Sequence, residues 1–349
     1  MALVWLEGFD NYGALGMSYT TLITEMAKRY SLYILTSTTP YTELVAGWGG
    51  GLGLQFGRSG DTTLHLSASF AANTNWLIGC AFKTPATFTT RTRIFAVRSS
   101  TAGQNSLVVT STGLLAAYSG DDSYSLLNYA SQSLLPNTWY YIEYKVYCHA
   151  TSGTVDVQLN GINVLSLSNK NTLRAGGTCT EIRLRGIPGA STVARGPVDD
   201  WYIANGTTNF LGPVKIETLR PNADTSISWL GSTGPNNYDL LNETPDNPST
   251  YVYSGATGAE DYYSISNLTN ISGNIKGIQL GAKANLDSNG SQKLYLECDS
   301  NGSTANSGGT TLTTTTIVTS NYILETDPAT NSAWITTAVD GLETGLKVG

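Results

Sequence analysis

The stretch that decides the fold reads Asn137-Thr-Trp-Tyr-Tyr-Ile-Glu-Tyr-Lys-Val-Tyr-Cys148. Its apolar residues recur at every second position, and those that share one face are Tyr140, Ile142, Tyr144, Val146 and Cys148. The charged residues Glu143 and Lys145 lie on the other face. Because successive side chains of a strand point to opposite sides, this period of two predicts a half-buried β-strand.

The following residues indicate a hairpin and two further strands. Thr154-Val-Asp-Val-Gln-Leu159 alternates apolar with polar residues. Asn160-Gly161 comes next, and both residues tolerate the positive φ of a tight turn. Ile162–Leu167 is the expected partner strand. Glu181-Ile-Arg-Leu-Arg185 and Val198-Asp-Asp-Trp-Tyr-Ile-Ala204 add two more strands, and the whole stretch is interpreted as an antiparallel meander.

Three of these segments resemble those of the concanavalin A-like jelly-roll superfamily, of the laminin-G and pentraxin type. They are the Trp-Tyr strand, the hairpin Val157-Gln-Leu-Asn-Gly-Ile-Asn-Val164 and the closing strand Val198-Asp-Asp-Trp-Tyr-Ile203. The resemblance implies a sandwich of two sheets in which the opening strand pairs with the closing one. Glu7-Gly-Phe-Asp10 is the expected opening partner.

Within that superfamily the chain is most similar to proteins of tailed-phage virions, in which a jelly roll and a second β-domain share one chain. A short Phe-Asp-x-Tyr start, here Phe9–Tyr12, is part of the similarity. Val214–Pro221 looks like the strand that links the two halves, and Glu325–Gly345 resembles the closing segment. The resemblance implies a structural protein of the virion that is assembled in the host cytoplasm.

The rest of the chain predicts an all-β fold in two domains. Short apolar runs separated by turn residues are typical of a sandwich, and they occur at Leu64–Leu66, Asn75–Phe82, Thr92–Val97, Ser106–Thr110 and Leu114–Tyr118. Ser18–Arg29 is the one early stretch with helical spacing. We predict a concanavalin A-like jelly-roll domain over residues 1–213 and a smaller C-terminal β-sandwich domain over residues 214–349.

Composition limits the classes of partner. The chain has 349 residues, of which 13% are charged, about half the usual share. Its net charge is 19 − 26 = −7, which argues against nucleic-acid binding because that needs a basic footprint. No apolar run approaches the roughly 18 residues that a membrane span needs. The start at Met1 lacks the basic and apolar segments of a secretory signal, so no export is expected.

We expect no cofactor or metal site. The four cysteines share no close ligand spacing and are interpreted as free thiols; they are Cys80, Cys148, Cys179 and Cys298. Asp287–Ser291 and Asp299–Ser303 both read Asp-Ser-Asn-Gly-Ser. Both lack the glutamate that a calcium-binding loop needs at its twelfth position, so each is interpreted as a β-turn.

The sequence also contains no motif that predicts a set of catalytic residues. Jelly-roll glycosidases carry two carboxylates on one strand, which flank the bond about 5 Å apart. Glu297-Cys-Asp299 and Glu325-Thr-Asp327 lack the second glutamate of that motif. Asp121-Asp122 and Asp199-Asp200 are neighbours on strands, whose side chains are expected to point to opposite faces. The two histidines support no nucleophile–histidine arrangement, so we expect that the chain is not an enzyme.

Three functional hypotheses follow. The first is a virion structural protein on the phage head or tail that binds other virion proteins. The second is binding of a host-surface glycan by loop-like or outward aromatic residues that can stack on sugar rings, namely Trp48, Tyr124 and Tyr129. The alternative is that these residues pack against a neighbouring subunit. The third hypothesis is a secreted, lectin-like carbohydrate-binding module, which would need an export route.

The uncharged strands predict self-association. Thr310–Ser320 and the outward positions Trp139 and Tyr141 offer hydroxyl and aromatic side chains, which are buried at less cost than charged ones. We therefore predict a homo-oligomer, with a trimer on the virion favoured. The alternative is a monomer whose threonine-rich strands are solvated.

Overall fold

The computed structural model describes most of the chain. The described residues are 2–29, 31–33, 42–55, 65–120, 125–174, 177–185, 196–206, 209–271, 273–287, 291–313 and 317–349. The chain separates into two compact units, of which unit 1 comprises Met1–Ile216 and unit 2 comprises Glu217–Gly349. None of the helices in the described ranges is long and apolar enough to span a membrane.

The described part of unit 1 contains fifteen strands and one helix. In chain order they are β1 (Ala2–Glu7), α1 (Tyr19–Ala27), β2 (Ser31–Tyr33), β3 (Glu43–Ala46), β4 (Leu52–Gln55), β5 (His65–Ser69), β6 (Asn75–Lys83), β7 (Thr92–Arg98), β8 (Gly103–Val109), β9 (Leu114–Ser119), β10 (Ser125–Ser133), β11 (Trp139–Tyr147), β12 (Gly153–Leu159), β13 (Ile162–Lys170), β14 (Glu181–Leu184) and β15 (Val198–Asn205).

These strands form two antiparallel sheets that enclose one apolar core. The eight-stranded sheet has the order β13-β12-β11-β6-β15-β4-β3, and β1 pairs with β15. The seven-stranded sheet has the order β10-β9-β8-β7-β14-β5-β2. Alternate residues of each strand enter the core, such as Ile142 and Tyr144 of β11 and Ile182 of β14. The predicted all-β sandwich of the jelly-roll type is therefore confirmed.

Two local predictions for unit 1 are confirmed. The loop between Leu159 and Ile162 has two residues, and φ is 51° at Asn160 and 78° at Gly161, as a type I′ turn requires. The opening strand pairs with the closing one as predicted, but its bounds differ: it is β1, and of the expected segment Glu7–Asp10 only Glu7 belongs to it, opposite Trp201.

The predicted single meander is wrong beyond its first three strands. β11, β12 and β13 are consecutive neighbours, but β14 belongs to the other sheet, between β7 and β5. β15 lies between β6 and β4, and seven of its eight residues are buried. A strand with apolar residues on both faces is covered in the centre of a sheet, whereas at an edge beside β13 it would lose a row of hydrogen bonds.

The one helix of unit 1 lies where helical spacing was predicted. Ser18 caps its N-terminus, since its hydroxyl accepts the Thr21 amide at 3.2 Å. Leu22 and Met26 are buried on the core side, as residues four apart on one helical face should be.

The described part of unit 2 contains twelve strands, one α-helix and one turn of 3₁₀ helix. In chain order they are β16 (Pro221–Ser226), β17 (Leu230–Gly231), the 3₁₀ turn (Tyr238–Leu240), β18 (Val252–Tyr253), β19 (Glu260–Ile265), β20 (Ile278–Ala284), β21 (Lys293–Ser300), β22 (Ser303–Asn306), β23 (Thr310–Thr311), β24 (Val318–Leu324), β25 (Thr326–Asp327), β26 (Ser332–Ala333), α2 (Thr336–Asp340) and β27 (Glu343–Val348).

Unit 2 is built on a six-stranded sheet of order β16-β19-β27-β21-β22, with β23 paired to β21. The two-stranded ribbon β20–β24 packs with this sheet around a second apolar core that contains Cys298, Leu324 and Trp334. The Trp334 indole donates to the Leu324 carbonyl at 3.0 Å. The predicted linking strand is wrong, since pairing begins only at Pro221 and the preceding residues are not in a strand.

The residues predicted at an oligomer interface are partly internal. Tyr141 is 1% exposed and donates its hydroxyl to the Asp200 carbonyl at 3.2 Å. Ser320 is 2% exposed, and its hydroxyl is 2.7 Å from that of Thr310. These two positions are covered within the chain and give no support to a contact between subunits.

Candidate functional site

The outward side of the seven-stranded sheet carries an unusual concentration of arginine. On β5 and β14 the alternate residues enter the core, so the residues between them point outward. We call the outward residues the cationic face, and they are His65, Ser67, Arg91, Arg93, Ala96, Arg98, Ser106, Val108, Ala116, Tyr118, Glu181, Arg183 and Arg185. Five of the ten arginines in the chain lie there, against one glutamate.

The cationic face runs across the sheet as a row of residues in register. Ser67, Arg183, Ala96, Ser106 and Tyr118 lie opposite one another on β5, β14, β7, β8 and β9. At about 4.8 Å between strands, the row spans roughly 19 Å. Arg183 is the half-buried member of this row, and the other four residues are at most 5% exposed.

Glu181 holds two of the arginines in place. Its Oε1 accepts hydrogen bonds from Ser67 Oγ and, at 2.5 Å, from Arg183 Nε. Its Oε2 lies 3.9 Å from Arg98 Nε. Burial acts to raise the pKa of this carboxyl, but the Arg183 and Ser67 hydrogen bonds and the two guanidinium charges outweigh burial and lower the pKa. Glu181 is therefore ionised and fixes the orientation of Arg183.

Exposure differs among the arginines of the cationic face. Arg91 is exposed, donates to the Tyr118 hydroxyl at 3.2 Å and lies over its ring, 5.2 Å from the centroid. Arg93 and Arg183 are half-buried, whereas Arg98 and Arg185 are 9% exposed. Within the described residues Arg183 donates only through Nε.

The exposed and half-buried arginines of this face suit an anionic ligand, because a guanidinium group binds a carboxylate through two parallel hydrogen bonds. His65 and Tyr118 lie four strands apart in the sheet order, so on this face they do not meet as an acid–base pair.

The three aromatic residues predicted to bind a glycan do not form one site. Trp48 lies in the turn between β3 and β4, where its ring centroid is 5.3 Å from that of Tyr141. Tyr129 is 46% exposed on β10, which lies at the other edge of the sandwich beside β13. Tyr124 lies outside the described residues, as do Asp121 and Asp122.

The prediction that Asp199 and Asp200 point to opposite faces is wrong. Asp200 has a φ of 47°, and the strand register shifts between Asp199 and Tyr202. Such a bulge breaks the alternation of a strand, so both carboxyl groups lie near that of Asp10. We call Asp10, Asp199 and Asp200 the acidic cluster. Sequence periodicity cannot reveal it because a periodic pattern assumes a regular strand.

Each carboxyl group of the acidic cluster accepts a backbone amide. Asp199 Oδ2 accepts Trp48 N at 2.7 Å, and Asp10 Oδ1 accepts Leu52 N at 2.6 Å, so both hold the β3–β4 turn. Asp200 Oδ1 accepts Ile216 N at 2.6 Å. The cluster therefore anchors two chain segments.

Burial also changes the protonation of this cluster. Burial and the neighbouring Asp200 charge raise the pKa of Asp199 to about 9. Burial also raises the pKa of Asp200 to about 7, although the Ile216 amide and the Lys215 charge oppose it. In the described residues no set of three or more His, Cys, Asp or Glu side chains is arranged to hold a metal ion.

Comparison with known proteins gives structural likeness only. No protein-family model and no curated protein matches the sequence. An alginate lyase aligns with 61% of this chain and 98% of its own, at 13% identity and a TM-score of 0.41. A fungal endo-β-1,4-glucuronan lyase from Trichoderma reesei aligns with 58% of this chain and 96% of its own, at 9% identity and a TM-score of 0.41. A Trypanosoma rangeli sialidase aligns with 48% of this chain but 28% of its own, at 12% identity and a TM-score of 0.35.

These neighbours overturn the expectation that the chain is not an enzyme. They are two polysaccharide lyases and a sialidase. At this level of similarity the comparisons assign no activity to this chain.

Proposed function

We propose that unit 1 binds an acidic polysaccharide through the cationic face. The observation that carries this proposal is the gathering of five of the ten arginines on one sheet face of a chain whose net charge is −7. Arginines that served only as solvated surface charge would be spread over both sheets. Counting only residues that the structure describes, the face has five arginines and one glutamate, a difference of four charges.

The charge density of the face favours a carboxylated sugar polymer over a nucleic acid. The five guanidinium groups lie on or beside two neighbouring strands, β14 and β7. A chain of uronic acids presents carboxylates at regular intervals and apolar ring faces between them. A nucleic acid has a far higher charge density, and the acidic remainder of the protein would repel it.

Replacing Arg183 with alanine should weaken polyuronate binding about 10- to 100-fold, since a hydrogen bond to a charged group contributes roughly 1.5–3 kcal/mol. Isothermal titration with alginate and with glucuronan fragments measures this effect. Lys170→Ala, which removes one positive charge from the other sheet, is the matched control and should change affinity little. Equal losses in both variants, or no polyuronate binding by the parent protein, would contradict the proposal.

Glu181→Gln should have the opposite effect. It removes the one negative charge of the cationic face while keeping the shape of the side chain, so affinity for a polyanion should rise several-fold, most clearly at low salt. A thermal melt of each variant confirms that it is folded. Weaker binding in Glu181→Gln than in the parent would count against a site that recognises negative charge.

The same incubations test for turnover. Cleavage by elimination creates a carbon–carbon double bond and an ultraviolet absorbance, whereas hydrolysis releases reducing ends without that absorbance. Both signals are recorded with each polyuronate, and neutral glucans serve as the negative control.

The sequence resemblance supports a second proposal, which concerns location. We propose that the chain is a component of a tailed-phage virion, in contact with other virion proteins as a homo-oligomer, with a trimer favoured, and that the cationic face meets a glycan of the host surface. Mass spectrometry of purified particles tests this placement, and light scattering tests the oligomer. Particles that lack the chain would end the proposal.

A further inference from the structure

Two cysteine thiols meet between the two sheets of unit 1. Cys148 directly follows β11 of the eight-stranded sheet, and Cys179 precedes β14 of the seven-stranded sheet. Neighbouring residues hold both backbones, since Cys148 N donates to the Thr74 carbonyl at 2.7 Å and Asn73 N donates to the Cys179 carbonyl at 3.1 Å. Both side chains belong to the apolar core at 1% and 3% exposure, where the two thiols interact electrostatically. The two cysteines are thus neighbours in the core although 31 positions separate them in the chain (179 − 148 = 31).

A polar network orients this pair. The Asn105 amide nitrogen donates to Cys148 Sγ at 3.2 Å and to the Thr172 carbonyl at 3.0 Å. Its oxygen accepts the Tyr144 hydroxyl at 2.9 Å. The sulfur of Cys148 is therefore held from one side by an amide.

This geometry makes the two thiols chemically unequal. The hydrogen bond from Cys148 lowers the pKa of the Cys179 thiol, against the opposing effect of burial, and raises the pKa of Cys148. Burial raises the pKa of Cys80 and of Cys298, which lie in β6 and β21. Because the thiolate is the reactive form of cysteine, Cys179 is the attacking sulfur of the pair.

We propose that Cys148 and Cys179 form a redox-active dithiol that is oxidised to a disulfide joining the two sheets. The Cys179 thiolate attacks a small-molecule disulfide such as oxidised glutathione, forming a mixed disulfide and releasing one glutathione thiolate. The Cys148 thiol gives its proton to that thiolate, and its sulfur attacks Cys179 Sγ. The second glutathione leaves and takes up a proton from water, so two protein thiols are oxidised and one disulfide is reduced.

Exchange requires that the segment before β14 opens. It is held by hydrogen bonds from Asn73 N to the Cys179 carbonyl at 3.1 Å and from Thr180 N to the Arg98 carbonyl at 2.9 Å. Once formed, the bond closes a loop of about 30 residues and restricts the unfolded chain, which should raise the melting temperature of unit 1 by about 10 °C.

The experiment compares the full chain after treatment with oxidised glutathione and after reduction with dithiothreitol. Thiol titration in denaturant should fall from four thiols to two, and peptide mapping should find Cys148 linked to Cys179. The double variant Cys80→Ala with Cys298→Ala should fall from two thiols to none, with the same rise in melting temperature. The variant Cys179→Ala should keep its three thiols.

Four free thiols after oxidation would overturn the proposal, as would a product that stops at a glutathione adduct or a link that involves Cys80 or Cys298. If Cys179→Ala does not fold, the peptide map of the parent protein still decides, because it needs no variant. The outcome is independent of polyuronate binding, which is measured separately.

Discussion

Replacing Gly79 with valine is expected to destabilise unit 1 by about 3–5 kcal/mol, as the sum of overpacking and of a broken buried hydrogen bond. A Cβ at Gly79 would lie 2.2 Å from Cε1 of Tyr202. Displacing that ring is energetically costly, because Tyr202 is fully buried and its hydroxyl donates to Glu143 Oε1 at 2.6 Å. Glu143 also accepts the amides of Leu211 and Gly212 at 2.8 and 3.1 Å, so the displacement would spread to that segment.

Denaturant unfolding measures this loss, with Gly281→Val as the control. Gly281 is also a strand glycine, in β20, but the nearest atom to its Cβ position is Asn321 Oδ1 at an ordinary 3.5 Å. The control should therefore change the stability of unit 2 by less than about 1 kcal/mol. A Gly79→Val protein as stable as the parent would show that Tyr202 is not held in this position.

Raising the pH from about 4 to about 9 is expected to lower the stability of unit 1 by a few kcal/mol through the acidic cluster. Both carboxyl groups have a raised pKa in the folded protein, about 9 for Asp199 and about 7 for Asp200. Below pH 4 both carboxyl groups are protonated in the folded and in the unfolded state, so a change of pH in that range does not alter the stability through the acidic cluster. Above pH 4 the unfolded chain releases them first, and this favours unfolding until the folded protein releases them as well.

The variant Asp199→Asn isolates this contribution. The side-chain amide can accept only one of the two backbone amides that Asp199 accepts, from Trp48 and Asp200, but it removes the buried charge. The variant should therefore be less stable than the parent near pH 4 and should lose less stability between pH 4 and pH 9. The free energy of unfolding is measured at several pH values for both proteins. Parallel curves for parent and variant would show that Asp199 does not titrate differently in the two states.

Sequence periodicity predicted the strands well because the face of a residue is a local property. The alternation in β11 and the Asn160-Gly161 turn each depend on a few neighbouring residues. The neighbour of a strand in the sheet is not local, and the predicted meander failed at β14 and β15 for that reason. Both strands pair with partners that lie about a hundred residues away in the chain.

The cationic face was missed for the same reason. Glu181-Ile-Arg-Leu-Arg185 shows charged residues at alternate positions, a signal that was interpreted only as a strand. That these charges lie beside Arg98 depends on the pairing of β14 with β7. The acidic cluster was beyond a periodic argument altogether, since it depends on the positive φ of Asp200.

The pairing of β1 with β15 has a consequence for how the chain folds during synthesis. Glu7 leaves the ribosome before its partner Trp201, which follows 194 residues later (201 − 7 = 194). At roughly 5–20 residues per second, the first strand waits about 10–40 s for its place in the sheet. Such long-range pairing also makes folding slow. We therefore expect nascent chains that end before Val198 to bind chaperones that recognise exposed strands, and ribosome-bound chains that extend past Asn205 to be released from them.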